Sequence, residues 1–283
     1  MYVFLNFTMS VKRILFVLMI IVLSVTPSWC INDYEPAAAE DSLKILFKVL
    51  ADADGDNERE RINNDIINIL SKTLRHNKSF DYAFDSLPLL GKITAADDML
   101  RIYTWNFPES AYGHKYNCFL QYRGNNDGEL SLYFLNHVDT DREKLEHEQF
   151  GPDNWYGALY YQVHPVNYYD NTIYTLIGFD FNNPFTNIKI IDALSFDNGV
   201  PVFGAPVFQL SGKIKNRVVF EYSSQVVMFL RYVPEKDMII HDHLSPSAPG
   251  FKGQYRYYGP DFSYDGFRFD NEKWIHVSDI DWK

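Results

Sequence analysis

Arg217-Val218-Val219-Phe220-Glu221-Tyr222 alternates: Val218, Phe220 and Tyr222 fall on one face of an extended strand, and Arg217, Val219 and Glu221 on the other. Side chains point to opposite faces of a strand in turn, so a period of two predicts a β-strand. The next run, 225–233, repeats the pattern with Val226, Met228, Leu230 and Tyr232 on one side. One face packs a core and the other is mixed.

Working outward, the same period recurs from about residue 97. Further candidate strands are 99–106, 116–122, 130–136, 155–164, 172–180, 187–196, 237–243, 265–270 and 273–278. Gly, Asn, Asp and Pro fill the breaks. Arg123-Gly124-Asn125-Asn126-Asp127-Gly128 and Phe269-Asp270-Asn271-Glu272-Lys273-Trp274 read as hairpin turns. Short connections without helices predict an antiparallel meander, not βαβ units. The strand count suits a sandwich, a barrel-like closure or a propeller-like array, and the pattern does not choose among them. Aromatic residues make up 17% of the chain, with 20 Tyr and 22 Phe, which also favours pleated structure.

Ahead of the strands, Leu43, Ile45, Leu46 and Leu50 recur at helical spacing over 41–50. Ile62, Ile66, Ile67, Ile69 and Leu70 do so over about 59–74. The expected fold is mainly β and α+β overall, with an N-terminal α-helical hairpin within 31–95 and a β-rich domain over 96–283.

Lys12 and Arg13 precede an apolar run, Ile14 to Val25, and then Thr26-Pro27-Ser28-Trp29-Cys30. That order describes a secretory signal peptide over residues 1–30, too short to cross a bilayer comfortably. Met9 can serve as the start in place of Met1. Ser28 and Cys30 favour cleavage before Ile31, while Cys30 as a lipid anchor and an uncleaved membrane anchor are the competing expectations. The expected location is the periplasm, the outer envelope or the extracellular space. Cleavage leaves Cys118 alone, so no internal disulfide forms and the fold rests on core packing.

Residues 1–30 hold two basic side chains and no acid, so 24 basic and 37 acidic groups remain, a formal charge of −13. Such a chain is repelled by phosphate backbones and anionic lipid. Nucleic acid is excluded as an expected partner, and membrane contact is limited to the signal segment or a Cys30 anchor.

Several clusters bear chemistry. His241 and His243 share a strand face two residues apart, a spacing that lets two imidazoles bind one metal such as Zn, with His164, Asp261, Asp265 or His276 as the third ligand. Asp242 points the other way and needs a partner if buried; Arg231 is one candidate. Tyr257, Tyr258, Asp261, Tyr264 and Asp265 lie in an aromatic loop with two carboxylates, the chemistry of a sugar site, a pair of acids for glycoside hydrolysis, or a plain turn. Asp52-Ala53-Asp54-Gly55-Asp56-Asn57-Glu58 looks like Ca chemistry, but a loop counted from Asp52 puts Asn57 and Asn63 where an EF-hand needs Gly and Glu, so an acidic solvated loop fits better. Cys118 reads as a small buried hydrophobe, with a nucleophile beside His114 as the sharper alternative. Asn77-Lys78-Ser79 fits a glycosylation sequon. Signatures of Ser hydrolases, phosphate loops, zinc proteases and Cys-x-x-Cys sites are absent from the sequence.

The segments Tyr174–Asp180, Val202–Phe208, Val219–Ser223, His241–Pro246 and Gly259–Phe267, followed by Trp274, together resemble uncharacterised exported proteins of Bacteroidota-type bacteria over roughly residues 155–280. The resemblance implies a bacterial envelope setting, which makes the Asn77 sequon incidental, and it transfers no catalytic residues. The leading expectation is a non-enzymatic envelope or periplasmic protein that acts by binding or assembly, with an envelope protein or a glycan as partner. A metal-dependent hydrolase at His241 and His243 and a glycan-binding module at 257–267 are the alternatives.

Overall fold

The structure, a computed structural model, describes residues 35–109, 113–124 and 130–281. The expected signal peptide over residues 1–30, with Cys30, and residues 125–128 of the expected 123–128 turn lie outside the described residues. Pro36, whose ring presets φ for a first helical turn, opens α1 (Pro36–Asp52). After a break at Gly55 (φ 93°), α2 (Asp56–Thr73) runs back against it. Leu43, Phe47 and Leu50 of α1 and Ile62, Ile66 and Leu70 of α2 are buried, so the expected helical hairpin is present with longer helices.

Fifteen strands follow among the described residues, with a short helix α3 (Arg142–His147) between the fourth and fifth. The first sheet is β1 (Gly91–Thr94), β2 (Leu100–Glu109), β3 (Gly113–Arg123) and β4 (Leu130–Leu135), in chain order. The second is ordered β11 (Val218–Ser223), β7 (Thr186–Asp197), β6 (Asn171–Asn183) and β5 (Leu159–Tyr168), with β8 (Val200–Phe203) also paired to β7. The third is ordered β10 (Lys213–Lys215), β9 (Phe208–Leu210), β15 (Lys273–Val277), β14 (Tyr258–Asp270), β13 (Met238–Pro246) and β12 (Leu230–Val233). All pairings are antiparallel except β15 with β9. Each sheet has two edges, so none closes into a barrel.

Burial reveals stacked layers. In β2 and β3, Ile102, Cys118 and Leu120 face a core shared with the second sheet, while Tyr103, Trp105 and Phe119 face the helices. Phe47 meets Trp105 edge-on at 6.0 Å, and Trp105 Nε1 donates to Asn63 Oδ1 at 2.8 Å. The second sheet is also covered on both faces. Tyr174, Leu176, Ile190 and Val219 join the first core, whereas Ile173, Ile177, Ile191 and Val218 join a second core with Phe208, Ile239, Phe267 and Trp274 of the third sheet. The order is helices, first sheet, second sheet, third sheet. The expected boundary at residue 95 separates nothing: β1 already belongs to the first sheet, and Glu35–Lys283 forms one compact unit.

The mixed face of 217–222 is where the structure departs from the pattern. Arg217 is fully buried, with Nε 2.9 Å from the equally buried carboxylate of Asp192 on β7. Nε has no aligned hydrogen bond, so the contact is an ion pair first. Asp192 Oδ2 accepts from Tyr156 Oη at 2.6 Å, and the guanidinium stacks over the rings of Tyr156 and Phe150. Burial opposes the charge on Arg217, and the Asp192 carboxylate more than offsets it.

The expected strand 225–233 shortens to β12 because 224–229 leaves the sheet. The free edge of β12 is covered by β5: Tyr232 N donates to Gln162 Oε1 at 3.0 Å, Gln162 Nε2 donates to Tyr232 O at 3.3 Å, and Tyr161 Oη donates to Leu230 O at 3.0 Å. The short strands β1, β8, β9 and β10 escape the periodicity reading. The 269–274 hairpin is present, with Asn271 (φ 45°) and Glu272 (φ 61°) forming its two-residue turn.

Removing one member of a buried pair strands the other charge. Asp192→Ala should cost about 3–5 kcal/mol in urea unfolding, and Asp192→Leu combined with Arg217→Met should recover most of that loss.

Candidate functional site

Three neighbouring strands bring the predicted histidines together. His241 on β13 registers with Asp265 on β14, and Phe267 registers with His276 on β15. Two of the four proposed third ligands, Asp265 and His276, therefore arrive beside His241 and His243. The other two do not: His164 stacks on Tyr232 at 3.7 Å between ring centroids, and Asp261 accepts from the hydroxyls of Ser245 and Ser263 at 2.8 and 2.7 Å.

His243 sits where the β13–β14 register shifts between Asp242 and Leu244. Its Nδ1 is 2.7 Å from Asp265 Oδ2, and this contact pushes the imidazole pKa up. His276 Nε2 is 3.6 Å from the same oxygen, but burial pulls its pKa down. Burial opposes the charge on Asp265, yet the His243 and Asp279 donors outweigh it and hold the carboxyl below its ordinary range. His241 is deeper, 3% exposed. Its Nδ1 bonds the Asp242 carbonyl at 2.9 Å and its Nε2 has no partner. A carbonyl only accepts, so Nδ1 carries the proton and Nε2 keeps an unused lone pair. Burial pulls His241 down to about 4. Among the described residues, no group of three His, Cys, Asp or Glu side chains is placed to hold a metal ion.

The aromatic stretch 257–267 is not a loop. β14 begins at Tyr258, and Asp265-Gly266, which reads as a turn, lies within the strand. Gly266 is there for close approach: a Cβ would lie 2.4 Å from Ile239 O and 2.6 Å from Ile280 Cδ1. The five candidate ligand residues are split. Tyr257, Tyr258 and Asp261 line a shallow cleft of about 370 Å³ with Ser245 and Arg256, Tyr264 lines a different groove, and Asp265 serves the histidines. Tyr257 stacks on Phe251 at 4.1 Å, and Tyr258 Oη accepts from Gly253 N at 2.9 Å.

Asp242 is buried, as its face requires, but its partner is the Phe229 N–H at 2.6 Å. Arg231 registers with Ile240 and is exposed. Cys118 is fully buried in the first core, where burial pushes its thiol well up. His114 instead stacks on Phe181 at 4.6 Å. The acidic stretch 52–58 runs from the end of α1 through the break into the first turn of α2 with its four acidic side chains exposed, and Asn77 is exposed in a short 3-10 turn.

A different site was hidden from sequence reading. The β1–β2 turn (Asp97, Met99), the end of β3 (Tyr122), the β5–β6 hairpin (Tyr168–Thr172) and the β7–β8 hairpin (Ser195–Asn198) converge on one cleft of about 560 Å³. Tyr122 and Phe196 stack at 3.6 Å between centroids, 8° from parallel, and Tyr174 stands edge-on to both. Tyr174 Oη donates to Asp97 Oδ2 at 3.0 Å; burial and this carboxylate push the phenol up. Asp97, Asp170 and Asp197 line the cleft with the amides of Gln149, Asn171 and Asn198, and no Lys or Arg does. The signal that could have located it is Asp197-Asn198-Gly199, a strong hairpin turn whose Asn198 (φ 49°) and Gly199 (φ 84°) join β7 to the missed strand β8.

No protein-family model, curated protein or solved structure matches this chain. The chemistry of its clefts is therefore the guide to what it does.

The histidine cluster sets an acid limit on stability. His241 is held below its unfolded value of 6.5, so its contribution is complete above pH 6.5 and is lost as pH falls toward 4. The shift amounts to roughly 3 kcal/mol. His243, shifted up, works in the opposite sense: its contribution is present below pH 6.5 and fades as pH rises through its folded value. Asp265, shifted down, holds its contribution until pH falls below 3.8. Urea midpoints should therefore drop between pH 6.5 and 4, and His241→Phe should flatten that drop.

Proposed function

We propose that this protein is an exported, non-enzymatic binding protein of a bacterial envelope, and that its ligand is a glycan held in the cleft between the β5–β6 and β7–β8 hairpins. The observation that carries this reading is the union of an aromatic pair, Tyr122 and Phe196, with three carboxylates and three amides in one concave site. Aromatic rings pack against the apolar faces of sugar rings, and carboxylates and amides take up their hydroxyls. The turns that carry these groups stand on rigid strands, the usual place for recognition. With carboxylates and no cation among the lining residues, an amine-bearing sugar is favoured over an acidic one.

Export is supported by the N-terminal pattern of Lys12, Arg13 and Ile14–Val25, and the envelope setting by the resemblance over residues 155–280. Among the described residues, no helix is long and apolar enough to cross a membrane.

The test is a glycan array probed with the full chain and with Asp170→Asn/Asp197→Asn. Both aspartates are exposed, so the double variant should stay folded. A selective signal that falls about tenfold in the variant is expected, in line with the loss of charge-assisted hydrogen bonds. A flat array for the folded wild-type protein would overturn the reading.

A further inference from the structure

The third sheet covers only part of the second. Where it stops, Tyr161, Phe179, Asn187, Lys189 and Tyr222 of the second sheet form the floor of a groove of about 870 Å³. Segment 226–231, with Asp242 and Tyr264, forms its walls. The lining is mainly apolar: Val226 and Phe229 are half-buried, Met228 and Leu230 are buried behind them, and Val227 stands 87% exposed at the rim.

We propose that this groove binds a single-chain amphiphile with an anionic head, an alkyl carboxylate in chemical class. Charge selects this occupant. The chain carries a formal charge of −11, yet the groove holds two cations, Lys189 and Arg231, against one carboxylate, Asp242. That carboxylate is already committed to the Phe229 N–H, and burial pushes its pKa up.

Lys189 Nζ donates to Met228 O at 2.7 Å and lies 5.2 Å from the centre of the Tyr161 ring. An ammonium has three donors, so two remain for a ligand. The Arg231 side chain makes no hydrogen bond or ion pair among the described residues, and its whole donor fork remains. A carboxylate between these two groups leaves its alkyl chain along the half-buried Phe179 and Val226 and the exposed Val227, where apolar burial is favourable. The groove shares Val226 with the shallow 257–261 cleft and no residue with the acidic cleft. A sugar and an amphiphile can therefore occupy the protein together.

Calorimetric titration of the full chain with dodecanoate, dodecanol and dodecyltrimethylammonium, each kept below its micelle concentration, tests the assignment. One saturable dodecanoate site is expected, with dodecanol at least tenfold weaker and the cation not bound. Arg231 is exposed, so Arg231→Gln should fold normally; it should weaken dodecanoate about tenfold and leave dodecanol unchanged, while Arg231→Lys should retain most binding. Val226→Trp, which fills the groove, should abolish binding of both chains. Equal binding of the anion and the cation, dodecanoate binding indifferent to Arg231→Gln, or no saturable binding by a folded protein would overturn the proposal.

Discussion

The ion pair between Arg217 and Asp192 sits at the junction on which the layering depends. Neither side chain reaches solvent, so each charge gives up its hydration, and only a fixed partner at close range compensates for that loss. The pair links Asp192 of β7 to the residue just before β11 and gathers Tyr156, Phe150 and the Leu145 carbonyl around itself. Segments far apart in sequence, 145–156, 192 and 217, are thus tied to one point in the first core. A slip of β11 by one residue would bury Val218 there and turn Arg217 into the second core, where Ile191 and Ala193 offer no acceptor side chain.

That same pair marks the limit of reading the fold from its pattern. The period of two located the long strands and the helical spacing found the hairpin, because each element buries a continuous apolar face. Pattern alone cannot tell a face that meets water from one that meets another layer through a charged residue. Arg217 and Glu221 made the second face of 217–222 look mixed, whereas Arg217 is paired and Glu221 joins Arg142 and Thr186. Strands of three or four residues, such as β8, β9 and β10, are too short to show a period. Gly266 reads as a turn because the rule for Asp-Gly is local, while its cause here is the backbone of the neighbouring strand.

The candidate sites divide along the same line. The His-x-His spacing is a property of one strand, whereas Asp265 and His276 reach it only through the pairing of β14 and β15 with β13. The acidic cleft is assembled from several turns, and no window of sequence contains its rings and carboxylates together. The apolar groove is visible only once the third sheet is seen to stop short of covering the second. Charge is also distributed in a way the net value conceals: three carboxylates and no cation line one cleft, while two cations and one carboxylate line the groove.

The amide of Gln162 has a consequence beyond its two bonds. By donating to and accepting from Tyr232, it stands in for a strand that is not there. An open sheet edge is a template on which a second copy, or any extended segment, can add itself. Here Gln162, at the β5 bulge, takes both backbone groups of Tyr232, so a strand adding to β12 would first have to displace that side chain.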